Sequence, residues 1–409
     1  MLALIYRSAA LTIWLACIAV HARAQTFAEL EHRLGEHPSL QALGFQAEAD
    51  RERAVAARAL PDPVVTIGVN NLPLQDPSFD TYLPTHKAIG VRQQFPSGAE
   101  RQARSAAALG RVAETDVMGE ARFAQLRRDL IVSLIDKQRI ARQQELLAAR
   151  EAKLVELIGV VDAEVSAGRP AVFRLAEIEA DRAVVATILA ELTGQMADAD
   201  ARLIELVGDV PATPPPKLPA LEWSGDVDDF YAVRIAAAAI VVSDAAVDQA
   251  AAAWKPEWGV QLTYQQREPG NGRMGSTFAG DDWVSAAVTF NIPLWGKYNK
   301  HPALRAAQAN RQAARSRLQA AARTAAAEYS QYRAVQRAAD ASYAAQESQV
   351  LAIENRIKNQ LAIYESGVGD YAPIIDGEIA ILKLRADQAA ASARSAAAIA
   401  SRNALLGQP

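Results

Sequence analysis

The sequence predicts a mainly α-helical fold with a smaller β component, built from two tandem copies of one unit. Each unit runs as a helix, a β-hairpin, a very long helix, a turn and a returning helix. Three observations support this prediction: landmarks recur in both halves, two segments suit exceptionally long helices, and a pair of alternating strands precedes each of those segments.

Proline and glycine residues at matched spacings mark the repeat. The corresponding residues are Pro61 and Pro256, Pro96 and Pro293, Gly168 and Gly367, and Gly208 and Gly407. A proline-rich stretch between the copies indicates an extended connector. The predicted divisions are a signal peptide at 1–24, a first repeat at 25–210, a linker at 211–222 and a second repeat at 223–409.

The amino terminus has the pattern of a secretory signal. Arg7 precedes an apolar run over residues 9–20, and small residues come just before a cleavage point ahead of Gln25. Two alternatives stay open, a single N-terminal anchor helix and a lipoprotein acylated at Cys17. Cys17 is the only cysteine, so cleavage would leave no disulfide and no thiol ligand.

Four strands are predicted from apolar–polar alternation, near 62–72, 86–96, 256–266 and 283–293. One polar and one apolar face per strand suits a membrane barrel that encloses water. The alternative is an amphipathic hairpin packed on a soluble core. Strands of about eleven residues are close to the ~9–11 that cross a bilayer at a tilt, which favours the barrel.

No stretch after residue 25 is continuously apolar for long enough to predict a transmembrane helix. The nearest stretch, 235–242, is followed closely by Asp244 and Asp248. Four strands cannot close a barrel, so several chains must share one. Three chains would supply twelve strands, which leaves room for a pore.

Two long segments are predicted helices, because 98–164 lacks proline and 297–365 has only Pro302, near its start. In the first segment apolar residues recur at three- and four-residue spacing, as in a coiled-coil seam. At 1.5 Å per residue, each segment predicts a helix of about 100 Å. Glycine turns at 167–170 and 366–370 then reverse the chain. The result is two long helical hairpins per chain.

Several functional classes have little support. The formal net charge is only -4 with mixed signs, which argues against nucleic-acid binding. No nucleotide-binding loop, HExxH motif or defensible Ser/His/Asp spacing occurs, so we predict no enzymatic activity and no cofactor. The histidines lack paired spacing, and no metal site is predicted.

Short motifs in order along both halves resemble the TolC family of outer-membrane efflux proteins. They occupy residues 37–40, 60–63, 94–98, 203–208 and 291–297, so the resemblance covers essentially the whole mature chain. Ala99 and Val233 depart from the family pattern, the first where a basic residue is common and the second where a proline occurs. The Leu-Pro-Asp-Pro at 60–63 and the Pro-x-Gly-x-x-Arg at 96–101 resemble the heavy-metal (CzcC- and CusC-like) branch more than the drug or protein-secretion branches.

The resemblance implies a homotrimer with a twelve-stranded β-barrel in outer-membrane lipid and an α-helical barrel in the periplasm. A periplasmic adaptor would join it to an inner-membrane pump, expected to be of the RND type. The expected function is a passive exit duct for heavy-metal cations or other small solutes. A type I secretion duct, a drug-efflux duct and a periplasmic coiled-coil scaffold remain alternatives.

The resemblance also places a gate near the second hairpin tip. Asp376 and Tyr364 match gate positions, and Asp370 and Glu378 would add negative charge to a ring around the pore. Pro373 fills the slot of a second gate aspartate. For the carboxylates, the alternative role is to cap helix N-termini and to complement the helix dipole.

The hairpin tips themselves are the expected contacts with the adaptor. These residues are Gly168, Arg169, Gly367, Val368 and Gly369. Gly369 stands where the family would place an arginine that ties the gate, so the constriction is expected to be held differently in this chain.

Overall fold

The computed structural model describes residues 25–170, 172–271, 275 and 277–407. The predicted signal peptide, with Cys17, lies outside these residues. The described part is mainly helical with one four-stranded sheet, which confirms the predicted fold class. The sheet is open in the single chain.

The elements follow one another in a simple order. In the first half they are α1 (Phe27–Gly35), α2 (Pro38–Ala56), β1 (Val64–Asn70), β2 (His86–Phe95), α3 (Gly98–Ser166) and α4 (Val172–Val207). In the second half they are α5 (Tyr231–Ala252), β3 (Glu257–Gln266), β4 (Gly270–Asn271), β5 (Thr277–Phe278), β6 (Trp283–Asn291), α6 (Gly296–Glu365) and α7 (Ala372–Asn403). A short 3-10 turn, Val227–Asp229, precedes α5.

Three details differ from the sequence expectation. Two helices rather than one precede β1, because His37 is extended and caps α2, which begins at Pro38. The first strand is shorter than 62–72, since Pro63 lacks an N–H and Asn71 is left-handed with φ 57°. The loop between β3 and β6 also forms a small hairpin, β4 and β5.

The helices repeat the order of the strands to which they are attached. The sheet is antiparallel with order β1-β2-β3-β6. The attached helices α2, α3, α5 and α6 pack side by side in the same sequence. Farther from the sheet, toward the hairpin turns, α4 packs on α3, and α7 lies between α3 and α6.

Short helices are stacked end to end on longer returning ones. The backbone N–H of Tyr231, at the start of α5, donates to the carbonyl of Leu405 just after α7 (3.1 Å). At the equivalent place in the first half, Arg33 of α1 pairs with Asp209 after α4 (3.0 Å). Two rods of stacked helices thus flank the unbroken α3.

The long helices hold together through heptad cores. Buried Ile178, Val185, Leu192 and Ala199 recur every seven residues on α4 and pack against α3. The start of α7 joins the same core through buried Ile375 and neighbouring apolar residues. The two hairpins are therefore one packed unit near their tips.

One described helix, α5, is long and apolar enough by length and composition to cross a membrane. Its aspartates, Asp244 and Asp248, argue from the sequence against a membrane span. In the structure Asp244 pairs with Arg311 of α6 at 3.6 Å, and Arg234 pairs with Glu120 of α3 at 3.0 Å. These contacts place α5 within the helical layer, between α3 and α6.

Candidate functional site: the sheet and the hairpin tips

The sheet carries one largely apolar face, interrupted by Gln93 in the row Gln93–Val260–Val288 and by Lys87 and Gln266 at the end far from the helices. Strand register aligns apolar side chains in rows across the strands. The rows are Ile67–Ile89–Tyr264–Val284, Val65–Val91–Leu262–Ala286 and Phe95–Trp258–Phe290. Most of the large side chains in these rows are exposed to solvent in the single chain, and Ile67 is 79% exposed. An uncovered face of this kind requires an apolar environment or a partner.

The opposite face of the same sheet is mostly polar, with Val64 and Trp283 as its large apolar exceptions. Its central row is Thr66–Gly90–Thr263–Ser285, and the rows toward the helices add Arg92, Gln94, Gln261 and Thr289. Gly90 and Gly259 on this face lie close to threonine side chains of the next strand. A Cβ would lie 3.2 Å from the Thr263 hydroxyl at Gly90 and 2.9 Å from the Thr289 hydroxyl at Gly259. The alternation read from the sequence therefore extends coherently over four strands.

Aromatic residues concentrate at the helix-proximal end of the apolar face. Phe95 and Trp258 stack with ring centroids 4.1 Å apart. Trp295, just before α6, is 72% exposed, and Tyr298 in the first turn is also exposed. Aromatic side chains favour the boundary between an apolar medium and water.

Two glycine turns form the hairpin tips. Gly168 and Gly367 have φ of +83° and +80°, a left-handed conformation that costs glycine little and other residues more. Val368, at the second tip, is 84% exposed. Gly369 packs closely, because a Cβ there would lie 3.0 Å from the Ile363 side chain.

The predicted gate carboxylates are brought together with cations of the first hairpin. Asp370 accepts from Arg169 at 2.5 Å, and Asp376 pairs with Arg174. Glu378 pairs with Lys153 of α3 at 2.7 Å.

Those ion pairs alter the cations that make them. Hydrogen bonds from Lys153 to Glu378 and Glu156 raise the pKa of Lys153 above its ordinary value. The hydrogen bond to Asp370 likewise raises the pKa of Arg169. Each of the three acids thus meets a cation of the first hairpin, and these pairs tie the start of α7 to that hairpin.

Tyr364 lies beside this cluster. Its ring centroid is 5.2 Å from that of Tyr371, which also packs on the heptad core. The turn between them starts with Ser366, whose hydroxyl donates to the carbonyl of Ile363 at 2.6 Å. No side-chain capping bond is present at the start of α7, so the structure does not show the capping alternative for Asp370 there.

Arg174 and Lys153 are not predicted from the sequence. Each lies in the first hairpin, about 200 positions along the chain from its partner, so no local pattern links them. Among the residues that the structure describes, no group of three His, Cys, Asp or Glu residues could hold a metal ion.

Comparison with known proteins gives structural matches only. No family model and no curated protein matches this sequence. Several solved structures do. The outer membrane protein VceC from Vibrio cholerae is 16% identical with a TM-score of 0.73, over 92% of this chain and 95% of that chain.

Two further structures agree. CusC, whose structures concern transmembrane channel formation, is 14% identical with a TM-score of 0.75, over 93% of this chain and 92% of that chain. The CmeC outer membrane channel of Campylobacter jejuni is 12% identical with a TM-score of 0.72, over 92% and 84%. The chain therefore has the fold of outer-membrane channel proteins, and its resemblance to the TolC family is confirmed at the level of the fold.

Proposed function

We propose that this chain is one subunit of an outer-membrane efflux duct and has no catalytic role. The observation that carries the proposal is the four-stranded sheet, with an uncovered apolar face and a polar reverse. In a bilayer, backbone groups at sheet edges must be paired, so such a sheet has to close into a barrel. The apolar face then contacts lipid and the polar face lines water.

Three copies satisfy this requirement best. Strands β1 and β6 are the open edges of a four-stranded sheet, and three copies joined edge to edge give twelve strands. Eight strands from two copies would leave an interior filled by side chains. We propose a homotrimer whose strands share one barrel and whose helices continue below it as a tunnel in the periplasm.

The chain would reach that location by export, with cleavage before Gln25. The repeats at 25–210 and 223–409, joined by the linker at 211–222, then supply two strands each. The hairpin tips, including Gly168, Arg169, Gly367, Val368 and Gly369, would contact a periplasmic adaptor, which links the duct to an inner-membrane pump of the RND type.

We propose that the ion pairs at the tips hold the periplasmic entrance closed. In that state Asp370, Asp376 and Glu378 neutralise cations of the first hairpin, and Tyr364 packs beside them. Exposed ion pairs are individually weak because water and salt screen them. Three such pairs in each of three subunits make a latch that a partner at the tips could release.

The cargo proposed from the resemblance is heavy-metal cations or other small solutes. CusC is one of the structural neighbours, and so are CmeC and VceC, so the fold does not choose among the branches. A type I secretion or drug-efflux duct would have the same architecture. A periplasmic scaffold is disfavoured by the uncovered apolar sheet face.

The duct is tested by planar-bilayer conductance of the purified, detergent-extracted protein, together with its mass by light scattering. We expect a trimer and discrete channels. A monomer that never conducts would refute the proposal and would favour the alternative of a periplasmic scaffold, in which the strands form no barrel.

The gate is tested by replacing Asp376 with alanine. We expect altered block of single-channel current by added divalent cations, because three copies of the carboxylate face the entrance. Glu179→Ala, an exposed acid on α4 paired only with Arg182 of its own helix, is the matched control. Block unchanged by Asp376→Ala would remove Asp376 from the entrance.

A further inference from the structure

The helical layer has two edges that no other described element covers. Among the described residues, the buried side of helix α6 packs on α5, α7 and the segment 221–223, and its opposite side is free. Helix α2, with α4 below it, packs on α3 and forms the other edge. These edges continue the open strands, because α6 follows β6 and α2 leads into β1.

The free side of α6 is positively charged. Six exposed arginines occur between residues 305 and 337, and none forms an ion pair with any described residue. They are Arg305, Arg315, Arg317, Arg323, Arg333 and Arg337. Glu328 is the only acid in the same stretch. At about 100° per residue, Arg305 and Arg323 lie opposite the buried side of the helix, and Arg337 lies close to them.

The other edge carries unpaired acids. Glu48 and Glu52 lie on the side of α2 opposite the buried Ala47, Asp50 and Ala54. Both are exposed and lack an ion pair among the described residues. Glu205 is equally exposed and unpaired on α4, turned away from buried Leu203.

Contacts across the layer show which residues lie at the same height, that is, at the same distance below the sheet along the helix axes. The upper contacts are Asp50 with Arg111 (3.2 Å), Gly110 against Val242, and Asp244 with Arg311 (3.6 Å). Residues 50 and 311 are thus level. At 1.5 Å per residue, Glu52 lies about 3 Å above this level and Arg305 about 9 Å above it. The difference of about 6 Å is within the reach of the two side chains.

A second set of contacts fixes a lower level. They are Lys137 with Asp200 (3.0 Å), Ile135 packed near Ala396, and Ser395 with Asp340 (2.6 Å). Residues 200 and 340 are thus level. Arg337 is about 4 Å above this level and Glu205 about 8 Å above it, so these opposite charges also match in height.

The shapes of the edges match as well. Phe45 and Val55 project from the free side of α2, 69% and 67% exposed. On α6, alanines recur every seven residues at 306, 313, 320, 327 and 334. Phe45 falls at the height of residue 316, between Ala313 and Ala320. A large side chain opposite a row of small ones allows close helix packing.

In the proposed trimer the α6 edge of one chain meets the α2/α4 edge of the next. We infer that the charge pattern of these edges, with Arg305 opposite Glu52 and Arg337 opposite Glu205, restricts that neighbour to a second copy of this chain. The contact is head to tail, so each copy uses both edges and a ring can close. The inference rests on the proposed duct and adds what selects its neighbours. Opposite charges at matched heights favour contact between identical chains. A chain with a different charge pattern would bring like charges together at the contact and would be repelled.

A charge swap tests this selection. The swapped chain carries Arg305→Glu, Arg337→Glu, Glu52→Arg and Glu205→Arg. The half-swapped chain carries only Glu52→Arg and Glu205→Arg. These changes set arginine against arginine at the contact. Each chain is co-expressed with differently tagged wild-type chain, and mixed oligomers are counted after sequential affinity purification and native mass measurement.

We expect the half swap to lose trimers and the full swap to restore them. Mixed oligomers of fully swapped and wild-type chains should fall about tenfold or more below those of two wild-type chains, because mixed contacts repel. Arg317→Glu is the control, since Arg317 lies about a third of a turn from the free side. It should mix as wild type does.

Two results would overturn the inference: free mixing of the swapped and wild-type chains, or no rescue by the full swap while the control assembles. In either case a wild-type trimer that conducts would leave the proposed duct intact. A wild-type monomer would instead refute the duct itself.

Discussion

Ile67→Arg should destabilise the folded protein in a bilayer much more than Thr66→Arg, because the two neighbouring residues lie on opposite faces of the sheet. Ile67 is the middle residue of β1, in the apolar row Ile67–Ile89–Tyr264–Val284. It is 79% exposed in the single chain, so little protein surrounds it and the proposed barrel turns it to lipid. Thr66 belongs to the polar face, where the proposed barrel holds water.

The expected magnitudes follow from this placement. Arginine on the lipid face at the middle of a bilayer costs about 2–4 kcal/mol per chain, which is a factor of roughly 30 or more in the folded fraction. Arginine at Thr66 should cost less than about 1 kcal/mol, since its guanidinium stays in water. The assay is urea titration of protein folded in lipid vesicles, followed by the mobility of the unheated protein on gels. Equal costs at the two positions would refute the assignment of the faces.

Two further predictions concern the helices. Asp50→Asn should destabilise the helical part by about 2 kcal/mol at pH 7, because the buried carboxylate accepts from Arg53 and Arg111. Burial raises the pKa of Asp50, but those two bonds and charges outweigh it and lower the pKa overall. The stabilisation is therefore present above the unfolded value near 4 and is lost as pH falls through the folded value, so the thermal difference between wild type and variant should shrink below pH 4. A difference that grows in acid would contradict this role. Gly367→Ala should lower stability by about 1–2 kcal/mol through its left-handed φ alone, since nothing lies near an added Cβ. Gly35→Ala, at a position with an equally open Cβ and no positive φ, is the control, and an equal loss there would contradict the turn argument.

The sequence predicts the elements well where a local pattern decides them. Long stretches with no proline, or with only Pro302 near the start, predict α3 and α6, and alternation predicts the four main strands, because helix and strand periods are local properties. The break at Pro38 was also present in the sequence, and the expectation of one helix before β1 overlooked it. The small hairpin of β4 and β5 lacks a clear signal, since its strands have only two residues each.

The candidate site is less predictable from sequence. Asp376, Asp370 and Glu378 could be placed at the second tip by counting from Gly367. Their partners could not, because Arg174 and Lys153 come near them only when the two hairpins pack through the shared core. The charge match between the free edges of α2 and α6 likewise depends on heights that only the packed layer defines.

The central claim is that three copies enclose one water-filled pore lined by the polar face of the sheet. The most direct test is Ser285→Cys, in a chain with Cys17→Ala, recorded in a planar bilayer while a bulky charged thiol reagent is added. Ser285 is on the polar face, and the neighbouring Ala286 is on the apolar face. We predict three discrete downward steps of current per channel for Ser285→Cys and none for Ala286→Cys. No response at Ser285→Cys, or the same steps at Ala286→Cys, would contradict the account.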